Sequence, residues 1–424
     1  MFHARAVVPG ARGYDRSLVR AVDRVIAAVR LHGRPALGLF IWSRLGIWAA
    51  ALFAWLVFEP NRHPNASRWD SARLHELGYL TDIWARWDSD WFLRIAEHGY
   101  SAPSSTPAFY PLYPALTGLL GRALLGHYLL AGLLISLVAG AVAFVLLHRL
   151  ARDRLGEEGA VRAVLYLAVF PMSLFLQAVY SESLYLALAI GAFLLAERGR
   201  FLGAGAVTGL ALLTRAAGFA LLPALAIIAW RNPERRGALL RLAVAPLLFA
   251  LYPVVLWIQI GKPLEFLHAQ EVVWQRQLSW AGPFGGLWDG LRAGVAGVRQ
   301  LASGSHTHAY WGAVSDTDPM RAAALNLEQL AFALLALGLG VYAWRRFGAP
   351  YGVFSLVSLA IPLSVPAERW PLLSMPRFTL AIFPIFLALA ALGARPRLHT
   401  AIVSLSAALL GVAVTQWALW QWVA

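Results

Sequence analysis

Residues 127–147 read HYLLAGLLISLVAGAVAFVLL, twenty-one positions without a charged side chain. A helix needs about 20 such residues to cross the hydrocarbon core of a bilayer. The chain then turns abruptly polar in His148-Arg149-Leu150-Ala151-Arg152-Asp153-Arg154. Apolar blocks ended by short arginine clusters recur in both directions from here. Candidate spans lie near Ala36–Phe58, His127–Leu147, Val164–Val179, Leu184–Ala196, Phe201–Thr214, Ala216–Trp230, Leu242–Ile260, Asn326–Trp344, Pro350–Val365, Phe378–Leu392 and Ala401–Trp420. That makes roughly eleven, several short enough to be tilted, broken or re-entrant. The expected class is an all-α polytopic membrane protein.

Composition agrees. Of 424 residues 59% are hydrophobic and 14% charged, against about 25% charged in soluble proteins. A soluble enzyme and a disordered scaffold are thereby excluded. The chain has no cysteine, so disulfides, thiolate chemistry and cysteine metal sites are excluded too. The net charge of +14 invites a nucleic-acid reading, but the arginines are sorted by side rather than gathered into a stripe with stacking aromatics. With a cytoplasmic N-terminus, the cytoplasmic segments hold 21 basic and 7 acidic residues, and the other segments hold 15 of each. The excess therefore reports topology. No glycine-rich phosphate cradle is present, which disfavours ATP or a soluble nucleotide sugar.

Residues 1–35 are too basic for a cleavable signal. Leu18, Val22, Val25 and Val29 recur there at helical spacing, as in an amphipathic arm on the inner membrane surface, with a loosely ordered arm as the alternative. Residues 36–424 form the membrane domain, with two long extracytoplasmic loops at about 59–126 and 261–328. No fixed-period repeat or inverted symmetry is evident, which argues against a secondary transporter. Long polar and aromatic loops on one face suit chemistry at the outer membrane surface.

The first loop carries Trp84-Ala85-Arg86-Trp87-Asp88-Ser89-Asp90-Trp91. Trp84, Trp87, Trp91 and Ile95 share one face of a helix, expected to lie at the membrane boundary. Asp90 stands four residues from both Arg86 and Arg94 and reads as part of a solvated ion-pair row. Asp88 adjoins the aromatic stripe, where a carboxylate is costly unless used or paired. Pro107-Ala108-Phe109-Tyr110-Pro111-Leu112-Tyr113-Pro114 follows, either an interfacial turn or an aromatic wall for a sugar or prenyl chain. Asn65-Ala66-Ser67 is a glycosylation sequon that matters only in a eukaryotic secretory membrane.

These segments, with Ile95-Ala96-Glu97-His98-Gly99-Tyr100, Tyr180-Ser181-Glu182-Ser183-Leu184, Glu197-Arg198-Gly199 and Leu213-Thr214-Arg215-Ala216-Ala217-Gly218, resemble the GPI mannosyltransferase II (PIG-V) family in order and approximate spacing. The resemblance covers about residues 36–220 and continues more loosely at Trp274-Gln275-Arg276 and Arg377-Phe378. It implies a GT-C glycosyltransferase, a polytopic enzyme taking mannose from a polyprenyl-phosphate donor on the extracytoplasmic face, with Asp88 in the catalytic position. The acceptor does not carry over, because a bacterial chain would have no GPI precursor to modify.

Single displacement from a lipid phosphate needs one general base and no second carboxylate, since the phosphate leaves as a stable anion. Asp88 meets that need. Arg215, Arg377 and Arg276 are candidate phosphate-binding residues, each of which could instead snorkel or pair at a helix end. Trp87, Trp91, Tyr110, Tyr113, Tyr180, Glu182 and His268 are candidate substrate contacts, with ion pairing the simpler role for Glu182. Arg44, inside the first span where an arginine is expensive, is a weaker candidate for phosphate binding and could instead pair internally or reach the inner interface. His306-Thr307-His308 with Asp316 and Asp318 matches no strong metal spacing, so no metal ligand is assigned and a divalent-cation requirement stays open. The expected partners are the membrane, a polyprenyl-phosphate sugar and a lipid or glycan acceptor, and the expected place is a bacterial plasma membrane. The alternatives are a lipid or sugar transporter and the same enzyme class with another sugar.

Overall fold

A computed structural model describes residues 33–61, 70–101, 106–313 and 317–423; the N-terminal arm, the sequon and Asp316 lie outside them. The described residues are mostly helical, with one isolated antiparallel bridge between Arg276 and Ala367 and no strand. Five helices are long and apolar enough to cross a membrane: Arg34–Val57, Tyr128–Val169, Arg235–Ile260, Pro319–Phe347 and Pro396–Ala418. Shorter apolar helices, among them Phe201–Leu212, Ala216–Trp230 and Ala349–Ser364, pack between them. The chain is an all-α integral membrane protein.

The short helices are short for a local reason. The expected span Val164–Val179 does not form as one element: helix Tyr128–Val169 stops at Phe170, whose extended ψ of 139° is what a following proline demands. The chain then runs through a 3-10 turn, Ser173–Leu176, before helix Glu182–Glu197. The same long helix is broken on its other side at Gly156, with φ of 73°, so that two arms are joined end to end. Backbone that leaves helical form at membrane depth must be buried in protein or line a cavity. Three such breaks, at residues 177–181, 213–215 and 365–374, all contribute to the walls of one cavity.

The first long loop is itself folded. It carries helices Ser89–His98 and Leu112–Ala123, which pack against each other. The aromatic–proline turn between them is pinned from the second half of the chain. The Tyr252 hydroxyl donates to the carbonyls of Pro107 at 2.6 Å and Phe109 at 3.1 Å, and Gln270 donates to Ala108 at 3.2 Å. Leu112 N–H also donates to Leu213 O at 2.8 Å, tying the loop to one of the helix breaks.

Arg44 is buried and forms no ion pair among the described residues. Its guanidinium donates to Ser173 O at 2.5 Å and Ser173 Oγ at 2.6 Å, saturating the turn that follows Pro171. It therefore pairs internally, one of the roles expected for it.

The two loop helices approach through glycine. A Cβ at Gly118 would stand 2.6 Å from Ala96 O, a backbone atom that cannot swing aside, whereas one at Gly46 would meet open space. Gly118→Val should cost about 1–3 kcal/mol and lower the thermal unfolding midpoint of the purified protein. Gly46→Ala should leave that midpoint unchanged.

Candidate active site

The sequence places helix Ser89–His98 just after Trp87, and the turn there decides where Asp88 points. Trp87 has a φ of 53°, a left-handed conformation that non-glycine residues rarely adopt. Asp88 sits at the N-cap, yet its carboxylate does not cap the helix. The Tyr180 hydroxyl holds this turn from both sides, accepting from Asp88 N–H at 3.1 Å and donating to Arg86 O at 3.2 Å. Freed from its own helix, the Asp88 carboxylate accepts from Arg377 Nη1 through Oδ2 at 2.7 Å. Oδ1 makes no hydrogen bond among the described residues.

Behind this pair lies a second carboxylate. Glu182 begins helix Glu182–Glu197 and is fully buried. Its Oε1 is ion-paired with Arg215 Nη1 and stands 3.6 Å from Arg377 Nε. The four side chains alternate in sign, Asp88–Arg377–Glu182–Arg215, and come from four separate segments. A third arginine, Arg276, is held by two carbonyls, Leu373 O at 2.9 Å and Val365 O at 3.3 Å. Burial and then its neighbour Arg377 push the Arg276 guanidinium down to about 10, with Asp88 pulling the other way. All three guanidinium carbons stand 5.6–6.0 Å from the centroid of the Phe378 ring. Three cations against two carboxylates leave the cluster with one net positive charge.

The cluster opens into a cavity of about 890 Å³. Asp88, Arg215, Arg276 and Arg377 line it together with Trp87, Tyr110 and Tyr180, so seven of the eleven anticipated site residues share one chamber. The other four do not reach its surface. Glu182 lies one layer behind, where it pairs with the arginines. Trp91 stacks on Phe109, which does line the cavity. Tyr113 is buried beyond it, its hydroxyl bonded to Gly132 O and Ser136 Oγ at 2.9 Å each. His268 is exposed on helix Glu265–Trp274, and its neighbour Gln270 lines the cavity instead.

Two expectations for this segment are corrected. Trp84 and Trp87 precede the helix rather than forming a stripe along it, and Trp84 is fully buried against Trp48. Asp90 is 2% exposed, not solvated. It takes Ser71 Oγ, Arg73 at 2.9 Å and Arg94 at 3.3 Å, while Arg86 turns away to lie over the Trp420 ring. Arg73 and Ser71 are too far along the chain for helical spacing to reveal them. Phe378, Thr214 and Trp422 also line the cavity without having been anticipated as contacts. His306 and Asp318 meet at 2.7 Å, but among the described residues no three His, Asp or Glu side chains converge in a way that could hold a metal ion.

Residues 57–231 match the family model described as Mannosyltransferase (PIG-V). This segment is PIG-V-like. The relatives found include GPI alpha-1,6-mannosyltransferase 2 of Cricetulus griseus, 34% identical over 165 residues, covering 36% of this chain and 32% of that protein. The Mus musculus protein of the same name is 36% identical over 138 residues, covering 30% and 28%. The chain thus spans about a third of the length of the curated relatives it matches. Among solved structures, an archaeal oligosaccharyltransferase AglB from Archaeoglobus fulgidus in complex with an inhibitory peptide and a dolichol-phosphate aligns at a TM-score of 0.40 and 15% identity, over 89% of this chain and 55% of that one. ArnT from Cupriavidus metallidurans bound to undecaprenyl phosphate aligns at 0.36 and 17%, over 88% and 77%. Asp88, Tyr180, Glu182 and Arg215 fall inside the PIG-V-like segment, whereas Arg276 and Arg377 fall outside it.

Glu182 is the group whose removal most directly exposes the electrostatics. Glu182→Gln leaves Arg215 without its carboxylate and Arg377 with Asp88 alone. Breaking a buried pair in this way costs about 3–5 kcal/mol, so the variant should unfold at a clearly lower temperature than the parent. A midpoint within a degree of the parent would mean that the charge alternation contributes nothing to folding.

Proposed function

We propose that the chain is a membrane glycosyltransferase of the GT-C type that moves mannose from a polyprenyl-phosphate donor to an acceptor hydroxyl at the extracytoplasmic face. The observation that carries this reading is a carboxylate and three guanidiniums on the wall of one cavity, in a chain whose residues 57–231 match the mannosyltransferase family. Asp88 takes the proton of the acceptor hydroxyl through Oδ1 while Arg377 holds Oδ2. The acceptor oxygen bonds to the sugar C1 as the C1–O bond to phosphate breaks, with inversion. The electron pair leaves on the lipid phosphate. Arg276 is the natural first ligand for that phosphate, because carbonyls orient it and, among the described residues, no carboxylate is ion-paired with it. Arg377 and Arg215 complete the cationic side. The apolar part of the wall, including Ile361, Pro362, Val365 and Phe378, suits the first prenyl units.

Purified protein incubated with radiolabelled polyprenyl-phosphate sugars and a membrane extract should yield a labelled product with the mannosyl donor. Asp88→Asn and Asp88→Ala should reduce transfer by about 10²–10⁴-fold in protein that still purifies folded, with an unfolding midpoint lowered because Arg377 keeps only the more distant Glu182. Near-normal turnover in both variants would end the assignment of the base.

Orientation is testable because the chain is naturally free of cysteine. An impermeant maleimide applied to intact cells should label Ser101→Cys, in the first long loop, and should label Arg236→Cys only after lysis. The opposite pattern would place the cavity on the cytoplasmic side.

A further inference from the structure

The segment after the last helix returns to the cavity. Helix Pro396–Ala418 ends beside the first loop, where Trp417 Nε1 donates to Ile83 O at 2.7 Å. Trp420, with φ of 57°, is 5% exposed and packs edge-on against Trp87 at 5.6 Å, while the Arg86 guanidinium lies 3.9 Å from the centroid of its ring. Gln421 accepts from Arg321 at 3.2 Å, and Asn61 N–H donates to Leu419 O at 2.9 Å. These contacts aim the next residue inward. Trp422 is half-buried and lines the same cavity as Trp87 and Asp88.

We infer that Trp422 is a binding residue for the acceptor, which it contacts as a pyranoside through its indole face, and this rests on the transfer reading above. The placement argues for the acceptor rather than for the donor lipid. The tail is clamped to the turn that carries the base, and the oxygen that loses its proton must sit against that base. The three guanidiniums gather around Phe378, with Arg377 alone of them bonded to the base among the described residues, so the phosphate and the prenyl chain belong on the Phe378 side. An indole beside a carboxylate offers an apolar face to a sugar's C–H groups and leaves its hydroxyls for the polar partner. The PIG-V-like match ends at residue 231, so neither Trp420 nor Trp422 is part of it.

The test uses the full chain in a detergent without a sugar headgroup. Trp422→Cys places one thiol in a cysteine-free protein, and Trp280→Cys, at a residue 99% exposed that does not line the cavity, serves as control. Maleimide alkylation is timed with and without an alkyl mannopyranoside below its micellar concentration, and with an alkyl phosphate of equal chain length. The mannoside should slow alkylation at position 422 at least threefold and leave position 280 unaffected, and the phosphate should protect position 422 less. Protection by the phosphate alone, equal protection at position 280, or a thiol at 422 that maleimide cannot reach would each overturn the inference. In turnover, Trp422→Ala should raise the acceptor KM at least tenfold with kcat within threefold, and Trp422→Phe should recover most of the loss. A fall in kcat at unchanged KM would make the residue structural. The two readings fail separately: mannoside protection in a chain that transfers nothing sinks the transferase, whereas transfer by a chain with no protection at 422 sinks only the contact.

Discussion

A charge buried without a counter-charge is among the costliest things a fold can contain, and one end of this bundle contains five charged groups within one cluster. They are tolerable because they alternate. Asp88, Arg377, Glu182 and Arg215 form a chain in which each interior member touches two of opposite sign, and Arg276 is satisfied by carbonyl dipoles. The members come from the first loop, the start of helix Glu182–Glu197, a helix break near residue 215, the second loop and helix Met375–Leu380. Satisfying the charges therefore requires both halves of the chain to dock. The ion pair between Asp88 and Arg377 spans 289 positions and connects the PIG-V-like segment to the part of the chain outside it.

The helix breaks and the cavity are two aspects of the same constraint. Lipid cannot satisfy a free backbone carbonyl, so non-helical chain at that depth has to face protein, solvent or ligand. Here the breaks supply what the cavity needs: Ser181 and Tyr180 from one, Thr214 and Arg215 from another, Val365 and Leu373 from a third. The carbonyls of Val365 and Leu373 then hold Arg276. Strain sits at the same place, in the left-handed turn at Trp87, which the Tyr180 hydroxyl pins on both sides. A carboxylate that would ordinarily cap its own helix is turned toward an arginine instead.

The place of Asp88 on the cavity wall was legible because it stood beside tryptophans, and the resemblance named the same residue. Arg215 and Arg377 were legible as cations near the outer ends of apolar blocks. Asp90 was misjudged because helical spacing offers only the partners four residues away, and its real partners, Ser71 and Arg73, are brought back by an irregular turn. Tyr113 and Trp91 shared the composition of a binding wall without its position; both pack one layer out. Helix Tyr128–Val169 absorbed part of an expected span because Pro171, not hydropathy, sets its end.

Hydropathy and arginine placement were enough to establish an all-helical membrane protein, an expected orientation and the loop that holds the candidate base, since these follow from local composition and from the cost of placing charge in lipid. They could not say which outer residues meet. That depended on tertiary packing: a glycine at position 118 that lets two loop helices touch, a tyrosine hydroxyl that turns one carboxylate outward, and a C-terminal tryptophan folded back to the first loop. Contacts between residues hundreds of positions apart leave no periodic trace in a single sequence, and the cavity is made of such contacts.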